Sequence, residues 1–199
     1  MKIGFIFECG PDGADKQVCE FLAREIRPDI TPLSRTLDNK PRLLQDCGLV
    51  TAKLLKEGCE RVLIIWDLRP AWPGKTACRK VERDAVLASL TKAGVADKPV
   101  FLVCVEQELE GWLLADEQKI SVCLSTDAHP YRVPRVGKPD RVANPKSVMM
   151  NHFKTARGWR YEDRTHAIKV LRAAPTNLSR LRRSPTFSRF ESKLIAALP

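Results

Sequence analysis

Acidic side chains follow each of the three most apolar short runs of the chain. Glu8 follows KIGFIF, Asp67 follows RVLIIW, and Glu108 and Glu110 come shortly after VFLVCV. Carboxylates held close together repel one another unless they are protonated or neutralised by a cation. The hard divalent ion that suits a few carboxylates and water is Mg²⁺ or Mn²⁺, which can polarise a phosphoryl oxygen and lower the pKa of a bound water. These four residues are therefore our candidate catalytic groups, and the first three are our candidate ligands for Mg²⁺ or Mn²⁺.

The acidic residues also have structural alternatives. An acid directly after a strand often caps the next helix, so Asp12 or Asp15 could serve only as caps of the first helix. We interpret Glu106 as a solvated side chain. Asp67 is the strongest single candidate, because the run before it is the most apolar in the chain and the loop after it is rich in Pro and Gly.

The three apolar runs alternate with helix-like segments, which is the pattern of a parallel α/β sheet. Strands are predicted at 2–7, 61–66 and 100–105, with a weaker one near 30–33, and helices at 15–27, from 41 to a stop at Gly58, at 78–93 and from 109 onward. In an open parallel sheet the carboxyl ends of the strands lie along one edge, where ligands bind. We therefore expect the acidic side chains to converge at that edge.

The regular pattern ends at residues 121–145, where four prolines and several basic residues predict a linker or a long surface loop. Beyond it only helices are predicted, at 146–154, 165–173 and 186–198. The last has Ser184 as N-cap and Pro185 at the first helical position. We accordingly divide the chain into an α/β core at 1–120 and, at 121–199, a loop plus a basic helical region packed on that core.

The positive charge is concentrated in the second part of the chain. Residues 1–120 hold 18 Lys and Arg against 19 Asp and Glu, whereas residues 121–199 hold 16 against 5. This asymmetry favours a polyanionic partner, most commonly nucleic acid, and the alternative is a solvated basic surface. The candidate nucleic-acid contacts are Arg69, Lys75, Asn144, Lys146, Arg180, Arg182 and Arg183. The last three belong to RLRR, residues 180–183, the densest basic run. We expect the side chains from Asn144 onward to face the crevice at the carboxyl ends of the strands.

Several classes of protein are disfavoured by composition. The chain has no run of eighteen apolar residues and no signal-peptide pattern at its start, so we expect a cytoplasmic protein without membrane association. Seven cysteines without a CxxC pair argue against a disulfide framework and against a zinc ribbon. The three histidines are dispersed and fit no ligand spacing.

Four segments in order, FECGPDGADKQV, IIWDLRPAWPGK, VEQELEGWLLAD and a tail from NPKSVMMNHF to RSPTFSRFESKL, resemble the DUF4276 family of bacterial TOPRIM-like proteins. In TOPRIM proteins one strand ends in a Glu followed by a Gly-containing turn, a later strand ends in Asp-x-Asp, and these acids bind Mg²⁺ for cleavage or transfer of phosphodiesters. The resemblance implies that Glu8 is the first acid, with Cys9 and Gly10 in the turn. It implies that Asp67 begins the second motif, but Arg69 occupies the place of the second Asp.

The same resemblance implies a TOPRIM-like, mainly parallel sheet flanked by helices, with a C-terminal helical basic extension. Its Glu-x-Glu segment also implies that Glu108 and Glu110 are site residues, in agreement with their position after the third apolar run. It also implies a role in antiphage defence or DNA processing.

Two functions from different classes follow. The first is a Mg²⁺-dependent nuclease acting on DNA or RNA, and hydrolysis is favoured over strand transfer because Tyr131 and Tyr161 lie outside the predicted sheet. The second is a non-catalytic nucleic-acid-binding or protein-partner subunit with a degenerate site, which Arg69 supports. A third and weaker interpretation uses Trp112, Trp159 and the basic tail as a stacking surface for single strands.

Overall fold

The fold is described from a computed structural model, and the described residues are 1–71, 73 and 75–196. The strands are β1 (Lys2–Phe7), β2 (Thr31–Thr36), β3 (Arg61–Asp67) and β4 (Val100–Val105). Within the described residues they form one sheet in the order β2-β1-β3-β4, and every neighbouring pair is parallel. The predicted α/β fold with a mainly parallel sheet and flanking helices is confirmed.

Helices cover both faces of the sheet. They are α1 (Ala14–Ile26), α2 (Lys40–Lys56), α3 (Arg79–Lys92), α4 (Glu110–Leu114), α5 (Glu117–Leu124), α6 (Pro145–Arg157), α7 (Asp163–Arg172), α8 (Leu178–Leu181) and α9 (Pro185–Ile195). A 3-10 turn at Pro139–Arg141 precedes α6. Helices α2 and α3 pack together on one face, whereas α1 contacts α7 and α9, and α9 also contacts β4.

Strand β3 is buried on both faces, as expected for a central parallel strand. Val62, Ile64 and Trp66 belong to the core under α2 and α3. Leu63 and Ile65 belong to the larger core shared with α1 and the C-terminal helices. This strand therefore fixes the position of Asp67, at its carboxyl end, from both layers.

Helices α2 and α3 approach closely because α2 carries Gly48 at the contact. The Gly48 backbone N–H donates a hydrogen bond of 3.0 Å to Ser89 Oγ on α3. A Cβ atom at this position would lie 2.1 Å from the Ser89 carbonyl oxygen. Any larger side chain would push the two helices apart.

The start of α9 is fixed by polar contacts. Ser184 is its N-cap, as predicted, and accepts a hydrogen bond of 3.1 Å from the Phe187 N–H. Asp140 accepts hydrogen bonds from the Ser184 hydroxyl and, at 2.8 Å, from the Thr186 N–H. The buried Trp112 Nε1–H donates to Thr186 Oγ1 at 2.8 Å. The last helix is thus tied to α4 and to the 3-10 turn through these contacts.

Some of the helix and loop boundaries predicted from the sequence differ from those of the structure. The predicted loop begins later than residue 121, because α5 continues to Leu124 and buries Ile120 and Leu124 on one face. The predicted last helix extended to 198, and residues 197–199 lie outside the described ones, as do Trp72 and Gly74 of the predicted 69–75 loop. In the part of the chain that the structure describes, no helix combines the length and the apolarity that a membrane span needs.

Candidate functional site

Glu8 and Asp67 meet at the carboxyl ends of the two central strands. Strands β1 and β3 pair in register up to Phe7 and Ile65, so Glu8 and Asp67 follow one and two residues beyond this pair, at the same end of the sheet. The Asp67 N–H donates a hydrogen bond of 3.1 Å to Glu8 Oε1. Glu8 Oε2 is buried and finds no hydrogen-bond partner among the described residues. A buried carboxylate oxygen without a partner is costly unless a cation or water satisfies it.

Glu108 and Glu110 reach the same edge from the segment after β4. The Lys146 N–H donates a hydrogen bond of 3.1 Å to Glu108 Oε2 at the start of α6. Glu110 is 6% exposed, and its Oε1 accepts the Tyr161 hydroxyl at 3.3 Å. The two carboxylates have different partners, yet both charges act on Asp67 and raise its pKa.

Asp15, in the first turn of α1, also belongs to this site, and the sequence interpretation missed it. Gly13, rather than an acidic side chain, is the N-cap of α1. Of the neighbouring charges that raise the pKa of Asp67, the charge of Asp15 has the largest effect. A usable signal was present, because α1 begins at the edge where β1 ends. We call Glu8, Asp15, Asp67, Glu108 and Glu110 the carboxylate cluster.

Burial and mutual repulsion raise the pKa values within the carboxylate cluster. Burial raises the pKa of Glu8 from its ordinary 4.5 to about 7, although Lys40 opposes the change. Burial and a neighbouring carboxylate raise the pKa of Asp15 to about 6, and burial raises that of Glu110 to about 7. Burial, followed by the charges of Asp15 and Glu8, raises the pKa of Asp67 well above its usual range. Carboxyls that resist ionisation in this way are stabilised in their charged form by a bound cation.

Two lysines lie beside the cluster, and each already has a carboxylate partner outside it. Lys40 is 6% exposed, donates to the Leu68 carbonyl at 3.0 Å, and has its Nζ 3.5 Å from Glu82 Oε1. Lys146 forms an ion pair with Asp163. Burial opposes the charge of Lys146, but the hydrogen bond to Asp163 and the nearby carboxylates prevail and raise its pKa. The lysines therefore neutralise the cluster only in part.

The carboxylate cluster suits a hard divalent cation by its chemistry. Its donors are all oxygens, the class that Mg²⁺ and Mn²⁺ prefer, and Glu8 Oε2 is unpartnered within the described residues. Within residues 1–71, 73 and 75–196, no three His, Cys, Asp or Glu side chains already surround one point as metal ligands. Ion binding would require these side chains to turn toward the ion, and the metal site stays a prediction.

The basic candidates separate into different regions. Arg69, Asn144 and Lys146 line a crevice of about 650 Å³ beside Glu108, the region expected for contacts with substrate phosphates. Lys75 instead lines a groove between α2 and α3 that shares no described lining residue with this crevice. We call the first of these spaces the Glu108 crevice.

The arginine side chains of RLRR are engaged mainly in ion pairs within the protein. Arg180 Nη1 lies 3.2 Å from Asp116 Oδ1, and Arg182 binds Glu191 with two hydrogen bonds of 2.7 Å. Arg183 pairs with a carboxylate of α5. Among the described residues that line the Glu108 crevice, none of these three arginines is found. The expectation that this run faces the crevice is therefore not met.

The two tryptophans of the stacking interpretation have different environments. Trp112 is fully buried and packs edge-on against Phe187, so it cannot stack on a base, and this part of the interpretation is wrong. Trp159 is 51% exposed, and the Arg157 guanidinium lies 5.2 Å from its ring centroid.

Glu106, expected to be solvated, is partly exposed and pairs with Arg79.

Comparisons of the chain with protein-family models, curated proteins and solved structures gave no match. The relation to TOPRIM-like proteins therefore stays a prediction from short sequence segments. The geometry and charge of the carboxylate cluster and its neighbours are therefore the basis for assigning a function.

Proposed function

We propose that the protein is a phosphodiesterase that hydrolyses nucleic acid with the help of Mg²⁺ or Mn²⁺. The observation that carries the proposal is the convergence of five carboxylates, four of them with raised pKa values, at the carboxyl edge of a parallel sheet. This edge is where open α/β sheets bind ligands. The resemblance to TOPRIM-like proteins supports the same reaction and suggests phage defence or DNA processing as its setting.

Glu8, Asp67 and Glu108 would hold the ion, with Asp15 and Glu110 beside them. The bound ion would polarise a phosphoryl oxygen of the substrate and lower the pKa of a bound water molecule. Glu8 Oε1 is held by the Asp67 N–H, which leaves Oε2 to act as the ligand atom. The Tyr161 hydroxyl fixes Glu110 through its hydrogen bond.

Arg69 and Lys146 would bind the substrate phosphate, because both line the Glu108 crevice. An arginine can hold two phosphate oxygens at once through its planar guanidinium, whereas a lysine acts as a point charge. Burial raises the pKa of Tyr161 and so disfavours a tyrosinate nucleophile there. The Tyr131 hydroxyl forms a hydrogen bond of 2.9 Å with His152 Nδ1. Tyr131 is not among the described residues that line the Glu108 crevice, so water is favoured over tyrosine as the nucleophile.

The test is calorimetric titration of Mg²⁺ and Mn²⁺ into wild type and Asp67→Asn, followed by cleavage assays on labelled DNA and RNA. Asp97, an exposed residue paired with Lys98 in the turn before β4, provides the control Asp97→Asn. We expect Asp67→Asn to lower metal affinity by roughly tenfold or more and to abolish cleavage, whereas Asp97→Asn changes neither. Absence of binding heat and of thermal stabilisation in wild type with either ion would refute the metal site.

The second candidate is a nucleic-acid-binding or partner-binding subunit without catalysis. Arg69 favours it, since a cation occupies the place where the TOPRIM pattern has its second Asp. The same titration separates the two, because a degenerate site would bind nucleic acid with no measurable affinity for Mg²⁺ or Mn²⁺. We also propose a reducing, cytoplasmic setting, in keeping with the seven free cysteines.

A further inference from the structure

A second groove, of about 600 Å³, lies at the carboxyl end of the edge strand β4. Its walls come from the start of α3, the segment around the 3-10 turn, and the start of α9. Its charged lining residues are Arg79, Lys138, Arg141, Arg183, Arg189, Glu106 and Asp140. We call this space the basic groove.

The two acidic residues of the basic groove are already occupied. Asp140 accepts hydrogen bonds from the start of α9, and Glu106 pairs with Arg79. Arg183 is also engaged, through its pair with α5. Hydrogen bonds from neutral groups leave the negative charge of Asp140 in place, but the five basic residues of the groove still outnumber its two acidic ones.

Three cations of the groove have no such partner. Within the described residues, Lys138, Arg141 and Arg189 form no ion pair and donate no side-chain hydrogen bond; Lys138 and Arg141 are exposed. Arg79 contributes a further donor, because its Nε–H is buried and finds no acceptor in the described part of the chain. Unpaired cations and an unsatisfied buried donor along one groove indicate an anionic ligand with several acceptors.

The basic groove leads to the Glu108 crevice. Gln107 lines both spaces, and its carbonyl accepts the Arg69 N–H at 3.3 Å. A chain of anions extending from the groove past Gln107 would therefore enter the crevice that Arg69, Lys146 and Glu108, a member of the carboxylate cluster, line together. Pro185 is the one apolar side chain among the described lining residues of the groove, which offers little to the aromatic or aliphatic anchors of a protein partner.

We propose that the basic groove binds the phosphodiester backbone of nucleic acid and directs the strand toward the carboxylate cluster. This inference rests on the proposed function for the destination of the strand, whereas the binding itself does not require catalysis. The contacts are to phosphates, so they position the strand without reading its sequence. The basic side chains that carry the binding lie in three separate segments, and of RLRR only Arg183, already paired with α5, lines the groove.

The test compares two double variants that each remove two positive charges. Lys138→Gln/Arg141→Gln changes the groove, and Lys53→Gln/Lys56→Gln changes two exposed lysines at the end of α2, near the opposite edge of the sheet. Binding of labelled DNA and RNA oligonucleotides is followed by fluorescence anisotropy across a salt series in EDTA, so that no cleavage occurs. Circular dichroism and thermal unfolding establish that each variant is folded.

Wild-type affinity should fall steeply with salt. The log–log slope of the groove variant should be shallower than that of wild type by about 1.8 for duplex DNA and about 1.4 for single strands, corresponding to two lost phosphate contacts. The α2 variant should keep the wild-type slope. Equal slopes for the two folded variants would refute nucleic-acid binding by the groove. Failure of wild type to bind either polymer at low salt would refute it as well.

The outcomes also separate the groove from the proposed reaction. If wild type binds with the expected slopes but cleaves nothing with Mg²⁺ or Mn²⁺, nucleic-acid binding by the groove is supported and the proposed hydrolysis is refuted. If wild type cleaves and the groove variant binds and cleaves like wild type, hydrolysis is supported and the proposed role of the groove is refuted.

Discussion

Replacement of Glu8 by Gln should stabilise the metal-free protein at alkaline pH and leave its stability unchanged in acid. Burial raises the pKa of Glu8 from its ordinary 4.5 to about 7. Below 4.5 the carboxyl is protonated in both the folded and the unfolded chain, so it brings no penalty. As the pH rises toward 7 the unfolded chain ionises first, and the free energy of unfolding falls. The glutamine side chain of the variant would be neutral throughout and would escape this loss.

The size of the effect follows from the pKa of Glu8. One pKa unit corresponds to about 1.4 kcal/mol, so Glu8→Gln should raise the free energy of unfolding by at most about 3 kcal/mol at about pH 8. The amide oxygen of Gln can still accept the Asp67 N–H, so the hydrogen bond of 3.1 Å need not be lost. The gain should vanish near pH 4.

The assay is urea unfolding at pH 4 and pH 8 in EDTA, with the exposed Glu25 on α1 replaced by Gln as the matched control. The control should change the free energy of unfolding by less than about 0.5 kcal/mol at either pH. Equal destabilisation of Glu8→Gln at both pH values would refute the reasoning, because it would mean that the carboxylate is better accommodated than burial allows. Saturating Mg²⁺ at pH 8 should stabilise wild type more than the variant.

Two further predictions concern packing. Gly48→Ala should lower the free energy of unfolding by about 1–3 kcal/mol, because its Cβ would meet the Ser89 carbonyl oxygen at 2.1 Å, whereas Gly137→Ala has open space and should change it little in the same urea assay. Trp112→Phe should cost about 1–3 kcal/mol in thermal unfolding, because it removes the hydrogen bond to Thr186 and leaves a cavity, and an unchanged melting temperature would show that the contact does not stabilise the start of α9.

The sheet and part of the site were predictable from sequence for a local reason. A buried parallel strand must be apolar along its whole length, so RVLIIW predicts β3, and the first polar residue after it marks the edge of the sheet. The same logic located Glu8 beside Asp67. Ser184 and Pro185 likewise predicted the start of α9, since capping depends on residues only a few positions apart.

Other features depended on contacts between segments far apart in the chain. Asp15 has the sequence position of a helix cap, and only the packing of α1 against the sheet edge brings its charge onto Asp67. The RLRR run is the densest basic stretch, yet Arg182 is taken up by Glu191. The basic groove draws its cations from separate elements. Charge along a sequence can be counted, but which charges remain unpaired is decided by the tertiary structure, because an ion pair forms between whichever side chains the fold brings within a few ångströms.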